Sequence, residues 1–260
     1  MRLSTVLLAL LAWTTPSCRY PAPPVGVELD HYIDAHYRDL GECFVRPLDR
    51  AEFGERLEHC RVLFLGDHHR DSTLHAAILE LIDWLCARGK HPVLGIEAVG
   101  IEDNASLQEF LAGGVSLGTL RERIARRWAR SWLEPGDVDH AFYRSLLVRA
   151  RRSRLPVFCL EPAPRAPLDE RDATIASNIR RALRLHPDRL VVVVVGHAHL
   201  LGLGNLTARV DAPCLTFGAR VSPRLKAKAA DLGPVPVDAL LRSDRGVLFF
   251  PVVVHGSNAN

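Results

Sequence analysis

The chain has 260 residues, 48% of them hydrophobic and 24% charged, with a formal charge of +3 at pH 7. That length suits one sizeable α/β domain, and so small a charge leaves no electrostatic footprint for nucleic acid. The sequence carries no GxGxxG, no P-loop and no GxSxG, which sets aside dinucleotide enzymes, NTPases and serine hydrolases of the nucleophile-elbow kind.

In chain order, the first 18 residues read as an export signal. Arg2 supplies positive charge, and the apolar run 3–13 is too short to span a bilayer. Thr14-Thr15-Pro16-Ser17-Cys18 resembles a bacterial lipobox, with Cys18 as the lipidated residue and Thr15 and Pro16 as departures from the usual pattern. The alternative is cleavage to a free exported protein. Either way the expected address is the cell envelope. Residues 19–48 read as a tether, semi-extended through Tyr20-Pro21-Ala22-Pro23-Pro24, followed by a helix over 28–37. Five cysteines remain after Cys18. Cys43 and Cys60 are the expected disulfide pair in an oxidising compartment, and Cys159 and Cys214 are expected to be buried.

The folded domain is expected over 49–260. A short helix, 49–58, leads to Val62-Leu63-Phe64-Leu65, the first strand, which runs into Gly66-Asp67-His68-His69. Leu74, Ala77, Ile78, Leu81, Ile82 and Leu85 recur at steps of three and four and predict a helix, capped by Asp71 or Ser72 and ended by Gly89. The second strand, 93–97, ends in Glu97. A helical stretch over 104–152 follows, broken at Gly113-Gly114 and Pro135-Gly136, with Asp137 as the cap of its last helix. It is long for one crossover and is placed to cover the site. The third strand, 157–160, ends in Glu161, and a helix over 170–185 follows. The five valines 191–195 predict a central strand buried on both faces, ending in Gly196-His197-Ala198-His199. Strands near 213–217 and 246–254 complete the sheet, with a helical segment at 223–231.

Helices between successive strands imply a mainly parallel sheet flanked by helices, with the helical insertion between its second and third core strands. Parallel order gathers the strand ends on one edge, where open α/β sheets build their sites. Asp67, His69, Glu97 and His199 are therefore the candidate metal ligands, for Mn, Zn or Fe. Glu97 and His69 are also candidate bases for activating water, with Arg171 against developing negative charge. His197, His75 and Glu161 are further candidates. The plainer alternatives are that Asp67 caps a helix, that only one of His197 and His199 faces the crevice, and that Arg171 and Asp172 form a surface pair.

The ordered motifs resemble a known family. Leu65-Gly66-Asp67-His68-His69 followed by His75 is similar to the Gly-Glu-x-His signature of the ChaN-like haem-binding uptake proteins, and Leu94-Gly95-Ile96-Glu97 to their second-strand glutamate. Arg171-Asp172 with Ile175, Ala176 and Ile179 resembles a helix pattern of the same group. Val195-Gly196-His197-Ala198-His199-Leu200 resembles the Gly-x-x-His element of the related TraB and Tiki proteins and aligns His199 with their recurrent histidine. Asp67 departs from the pattern by standing where glutamate is usual. The resemblance covers roughly residues 50–205. It implies an envelope lipoprotein that handles haem or iron; its Tiki and erythromycin-esterase branches imply instead hydrolysis of a peptide or ester. Trp128, Trp132, Phe142 and Tyr143 offer an apolar face for haem, or ordinary core. A small-molecule or peptide ligand and a membrane reached through the lipid anchor are the expected partners.

Overall fold

In the computed structural model, the residues described are 27–162, 168–202, 204, 206–236 and 239–255. The leader, Cys18 and the proline-rich tether lie outside them. The helices are α1 (Val27–Leu40), α2 (Arg50–Glu58), α3 (Ser72–Ala87), α4 (Asn104–Leu111), α5 (Leu117–Arg127), α6 (His140–Arg152), α7 (Leu168–Leu185), α8 (Leu206–Val210), α9 (Pro223–Ala227) and α10 (Pro251–His255). The strands are β1 (Phe44–Leu48), β2 (Val62–Asp67), β3 (Val93–Ile96), β4 (Val157–Cys159), β5 (Val191–Gly196), β6 (Cys214–Phe217), β7 (Leu240–Ser243) and β8 (Leu248–Phe249).

These eight strands form one sheet in the order β1-β7-β8-β6-β2-β5-β3-β4. The run from β8 to β4 is parallel, and β7 is antiparallel to both of its neighbours. The expected α/β class with a mainly parallel sheet is what the protein has. The valine strand β5 lies between β2 and β3. Val192 and Val194 face one core, with α3 and the insertion; Val191, Val193 and Val195 face the other, with α7 and α8. A strand buried on both faces has no polar side to show, which is why its sequence does not alternate.

The register levels the strand ends. Asp67 pairs with Gly196, and Ile96 with both Val194 and Cys159. Asp67, Glu97, Glu161 and the His197–His199 turn therefore leave the same edge.

Helix α3 follows from local chemistry. The Asp71 carboxylate accepts from the Leu74 amide at 3.0 Å. Leu74, Ile78, Leu81, Ile82 and Leu85 are fully buried along one stripe, each stabilising by about 1.5–3 kcal/mol relative to exposure. Gly89 takes a positive φ of 75° at the far end, where the Lys90 amide reaches Leu85 O at 3.0 Å.

Several expectations are corrected. The last helix of the insertion is capped by Asp139, whose side chain accepts from the Phe142 amide, instead of by Asp137. Residues 246–254 divide between the short strand β8 and helix α10, because Pro251 opens a helix more readily than it continues a ladder. The sheet also takes in β1, upstream of residue 49, as an edge strand that tolerates Pro47. Cys43 and Cys60 are separate thiols. Cys43 immediately precedes the edge strand β1, whereas Cys60 lies before β2, with β7, β8 and β6 between them in the sheet. The Cys60 thiol instead donates to Val62 O at 3.0 Å. Cys159 is buried as expected, but Cys214 begins β6 at a level where β8 does not reach it, and is exposed. Among the described residues no helix is long and apolar enough to cross a membrane.

Gly66 shows how tightly the strand ends are packed. A Cβ there would lie 2.6 Å from Phe217 O and 3.1 Å from the Ala219 amide nitrogen. Gly66→Ala is expected to lower the unfolding free energy by about 1–3 kcal/mol, the cost of overpacking a rigid core. Urea unfolding measures this, and an unchanged midpoint would show that β6 gives way freely.

Candidate active site

The site grows from one buried carboxylate. Asp67, the last residue of β2, is 1% exposed, so its charge requires partners. Three side chains supply them. His75, one turn into α3, donates from Nε2 to Oδ1 at 2.8 Å. His69 donates from Nδ1 to Oδ2 at 2.9 Å. The Tyr143 hydroxyl of α6 donates to Oδ2 at 2.5 Å. Burial alone would push the Asp67 carboxyl up, but the hydrogen bonds and charges of His69 and His75 outweigh it and hold it well below the usual carboxylate range.

His75 lies between two acids, since its Nδ1 donates to Asp139 Oδ2 at 2.8 Å. Its ring stacks on Phe142, with centroids 4.0 Å apart. Burial would lower this imidazole; the carboxylates of Asp67 and Asp139 prevail and raise it above its ordinary value. With both ring nitrogens donating, His75 is an imidazolium.

A second cluster stands beside the first. Glu97, just past β3, accepts from Arg171 Nη2 at 2.9 Å and from the Gly196 amide at 2.6 Å. Arg171 also grips Glu161 with two bonds, from Nε at 2.5 Å and Nη2 at 2.7 Å. Burial would lower the guanidinium, but Glu161 and Glu97 keep it firmly charged. His199 donates from Nδ1 to Asp172 in a short hydrogen bond, and its Nε2 lies 3.6 Å from Glu97 Oε1.

Both clusters open into one cavity of about 590 Å³. His69, Glu97, Arg171 and His199 line its floor, and residues 129–138 of the insertion form its roof. The insertion covers the site as its length implied. Trp132 holds the roof down, its ring 4.3 Å from that of His69, and the Asp139 amide donates to His69 O at 2.7 Å.

Of the residues expected from the sequence, Asp67, His69, His75, Glu97, Glu161, Arg171 and His199 are thus brought together. His197 is not. Its Nδ1 donates to Asp67 O at 3.2 Å, and its ring packs against those of His36 and His68, away from the cavity. The tight turn after β5 sends the two histidines to different sides, and His199 is the one that lines the cavity. Burial pushes the His197 imidazole down, and pushes those of His36 and His68 down to about 4.

The expected four-ligand metal set is not formed. Asp67 has both oxygens committed to His75, His69 and Tyr143. Glu97 is turned to Arg171 and the Gly196 amide, and that guanidinium opposes a second cation. Among the described residues no three His, Cys, Asp or Glu side chains are arranged to hold one metal ion. Sequence reasoning missed the parts played by Asp139 and Tyr143. Asp139 was legible as a cap directly before a helix, whereas nothing in the sequence marks Tyr143.

An α/β protein with acids and histidines at the carboxyl edge of its sheet is the class that fold and site define. Residues 53–166 match the family described as haem-binding uptake, Tiki superfamily, ChaN. The segment holds Asp67, His69, His75, Glu97, Tyr143 and Glu161, and stops before Arg171 and His199. No curated protein matches the chain. Three solved structures are similar. The type III effector HopBA1 is 15% identical with a TM-score of 0.46, over 73% of this chain and 86% of that one. RRSP, a MARTX toxin effector domain from Vibrio vulnificus CMCP6, is 16% identical with a TM-score of 0.44, over 88% of this chain and 50% of that one. A structure described as bacterial protein toxins is 18% identical with a TM-score of 0.43, over 73% and 39%. Likenesses of this size carry no argument about function.

The pH dependence of stability follows from the central cluster. Asp67 is held below its unfolded value of about 3.9, so its contribution is present above that value and lost as pH falls through the folded one. His75 is raised, so its contribution is full below about 6.5 and lost as pH rises through its folded value. Asp67→Asn, which leaves His75 facing a neutral amide, is expected to cost roughly 3–5 kcal/mol near pH 5.5 and clearly less at pH 9. Urea unfolding at the two pH values checks this, and an equal loss at both would show that the charges are not what binds the cluster.

Proposed function

We propose that this protein is a hydrolase that activates water with its own side chains, acting on the carbonyl of a small ester, amide or peptide. One observation carries the reading. Two imidazoles, His69 and His199, each have Nδ1 anchored on a carboxylate that is almost fully buried, and both line the same cavity. Such an anchor fixes the ring and leaves Nε2 for chemistry.

His69 Nε2, with its Nδ1–H on Asp67, carries the lone pair of a general base. It takes a proton from water while the water oxygen attacks the carbonyl carbon. The carbonyl π electrons move to oxygen, and Arg171 is the cation on the floor that stabilises the charge formed there. As the carbon–oxygen or carbon–nitrogen bond breaks, an imidazolium at His199 delivers the proton from its Nε2 to the leaving group. His69 then releases its proton and His199 regains one, so that one water is consumed per bond cleaved. Glu97 holds Arg171 and the Gly196 amide in place and faces His199 Nε2. A cavity of about 590 Å³ is the size of a small-molecule site.

The description of the matching family favours a second reading, haem binding. His69 Nε2 is a suitable axial donor, since its Nδ1 is held by a carboxylate as metal-ligating histidines commonly are. The cavity walls fit a porphyrin poorly. Phe142 and Tyr143 are core residues, Trp132 is the one aromatic among the four that lines the cavity, and the Tyr143 hydroxyl is spent on Asp67. Under either reading the protein is an exported one, anchored through Cys18, as its leader implies.

His69→Ala and Glu97→Ala are each expected to reduce kcat/KM by about 10²–10⁴-fold on a panel of ester, amide and peptide substrates, with wild-type activity surviving dialysis against EDTA. Unchanged activity in both variants removes the hydrolase reading. A haemin titration that produces a Soret shift in the wild type but not in His69→Ala would install the second reading instead.

A further inference from the structure

The chain of contacts does not stop at His69. Asp139, His75, Asp67 and His69 form a line of alternating acid and imidazole, joined at 2.8, 2.8 and 2.9 Å. The outer end is in the insertion and the inner end is at the cavity. Asp139 makes three kinds of tie there. Its carboxylate takes His75 Nδ1–H, its Oδ1 caps α6 by accepting from the Phe142 amide at 3.2 Å, and its own amide donates to His69 O at 2.7 Å. The helix that Asp139 caps also carries Phe142, stacked on His75, and Tyr143, bonded to Asp67.

We infer that His75 is the positioning residue of this site: held between Asp139 and Asp67, it supplies the counter-charge that lets Asp67 orient His69 without also locking a proton onto it. The inference rests on the hydrolase reading for its consequence, though not for its geometry. With His75 as imidazolium, Asp139, His75 and Asp67 together present one negative charge to His69. With a neutral residue at 75 they present two, and the base then keeps its proton to higher pH. An inert filler would not serve, because Asp67 Oδ1 and Asp139 Oδ2 would both lose the donor between them. The other groups facing His75 are Phe142, which is apolar, and Tyr143, which is neutral. The same line explains how the roof and the base stay in step, since moving the start of α6 moves Asp139, and with it both His75 and the main chain of His69.

The test uses His75→Gln and Asp139→Asn in the full chain, with kcat/KM followed from pH 5 to 9.5. In His75→Gln the acid limb of the profile is expected to move up by about one unit, so that activity low on that limb falls by about tenfold and the loss shrinks as pH rises. Asp139→Asn, which keeps the shape of the cap and presents no more negative charge to His69 than the wild type does, is expected not to move the limb up. A uniform loss in His75→Gln with the limb unmoved would mean that His75 only packs, and would overturn the inference. NMR titration of the imidazole Cε1 protons reads the relay with no substrate at all. The His75 ring is expected to remain protonated above pH 7 in the wild type and to lose its proton at lower pH in Asp139→Asn. A wild-type His75 that is neutral at pH 7 overturns the inference even if hydrolysis is found. If no substrate is turned over but His75 titrates as expected, the hydrolase reading fails and the relay stands.

Discussion

The buried carboxylate of Asp67 is the constraint on which the rest of the site depends. A charge removed from water costs several kcal/mol unless it is paired and hydrogen-bonded, and Asp67 is 1% exposed. Its partners come from three separate places: His69 just beyond β2, His75 in α3 and Tyr143 in α6. Satisfying one carboxylate therefore stitches the strand edge to the first crossover helix and to the insertion. That is also why the aspartate can stand where the related pattern has glutamate. A shorter side chain keeps the charge down in the strand end, where His75 and Tyr143 reach it, and leaves His69 as the member that meets the cavity.

The second half of the site depends on strand order. Because β5 enters the sheet between β2 and β3, the turn after β5 lies between Asp67 and Glu97. The Gly196 amide is free to donate to Glu97 there, since the ladder has ended. A Cβ at this position would stand 3.4 Å from His69 Nε2 and 3.6 Å from Glu97 Oε2. Glycine thus lets the two clusters approach each other across a bare stretch of backbone. No single strand could bring these groups together; the parallel register does so with residues far apart in the sequence.

How much of this was legible in the sequence divides along physical lines. The buried strands were plain, because a strand covered on both faces must be apolar throughout, as 191–195 is. So was α3, whose stripe and caps agree. What was lost was what depends on neighbours more than on local pattern. Strand β8 has two residues and β7 four, too few for a period to show. Asp137 and Asp139 are equally good caps on paper, and the contact with His75 decides between them. His197 and His199 share one motif and differ only in the direction a turn sends them. The expected Cys43–Cys60 pair rests on an oxidising compartment and on the short helix the two residues flank, and sheet order separates them. Tyr143 sits where any core aromatic would, and only its hydroxyl, aimed at Asp67, gives it a part in the site.

The same electrostatics bear on what the site can hold. A cluster of acids and histidines invites a metal, and as a composition this one does. Yet each carboxylate of the site already has a hydrogen-bonding partner: Asp67 has His75, Glu97 and Glu161 share Arg171, and Asp172 has His199. A divalent ion would have to displace those partners while standing close to the Arg171 guanidinium, whose charge opposes it. Side chains that neutralise one another leave imidazole edges, not oxygens, as the reactive surface. An imidazole edge fixed by a carboxylate behind it is suited to moving protons, and that, more than the number of acids at the strand ends, is why water activation is the chemistry this arrangement fits best.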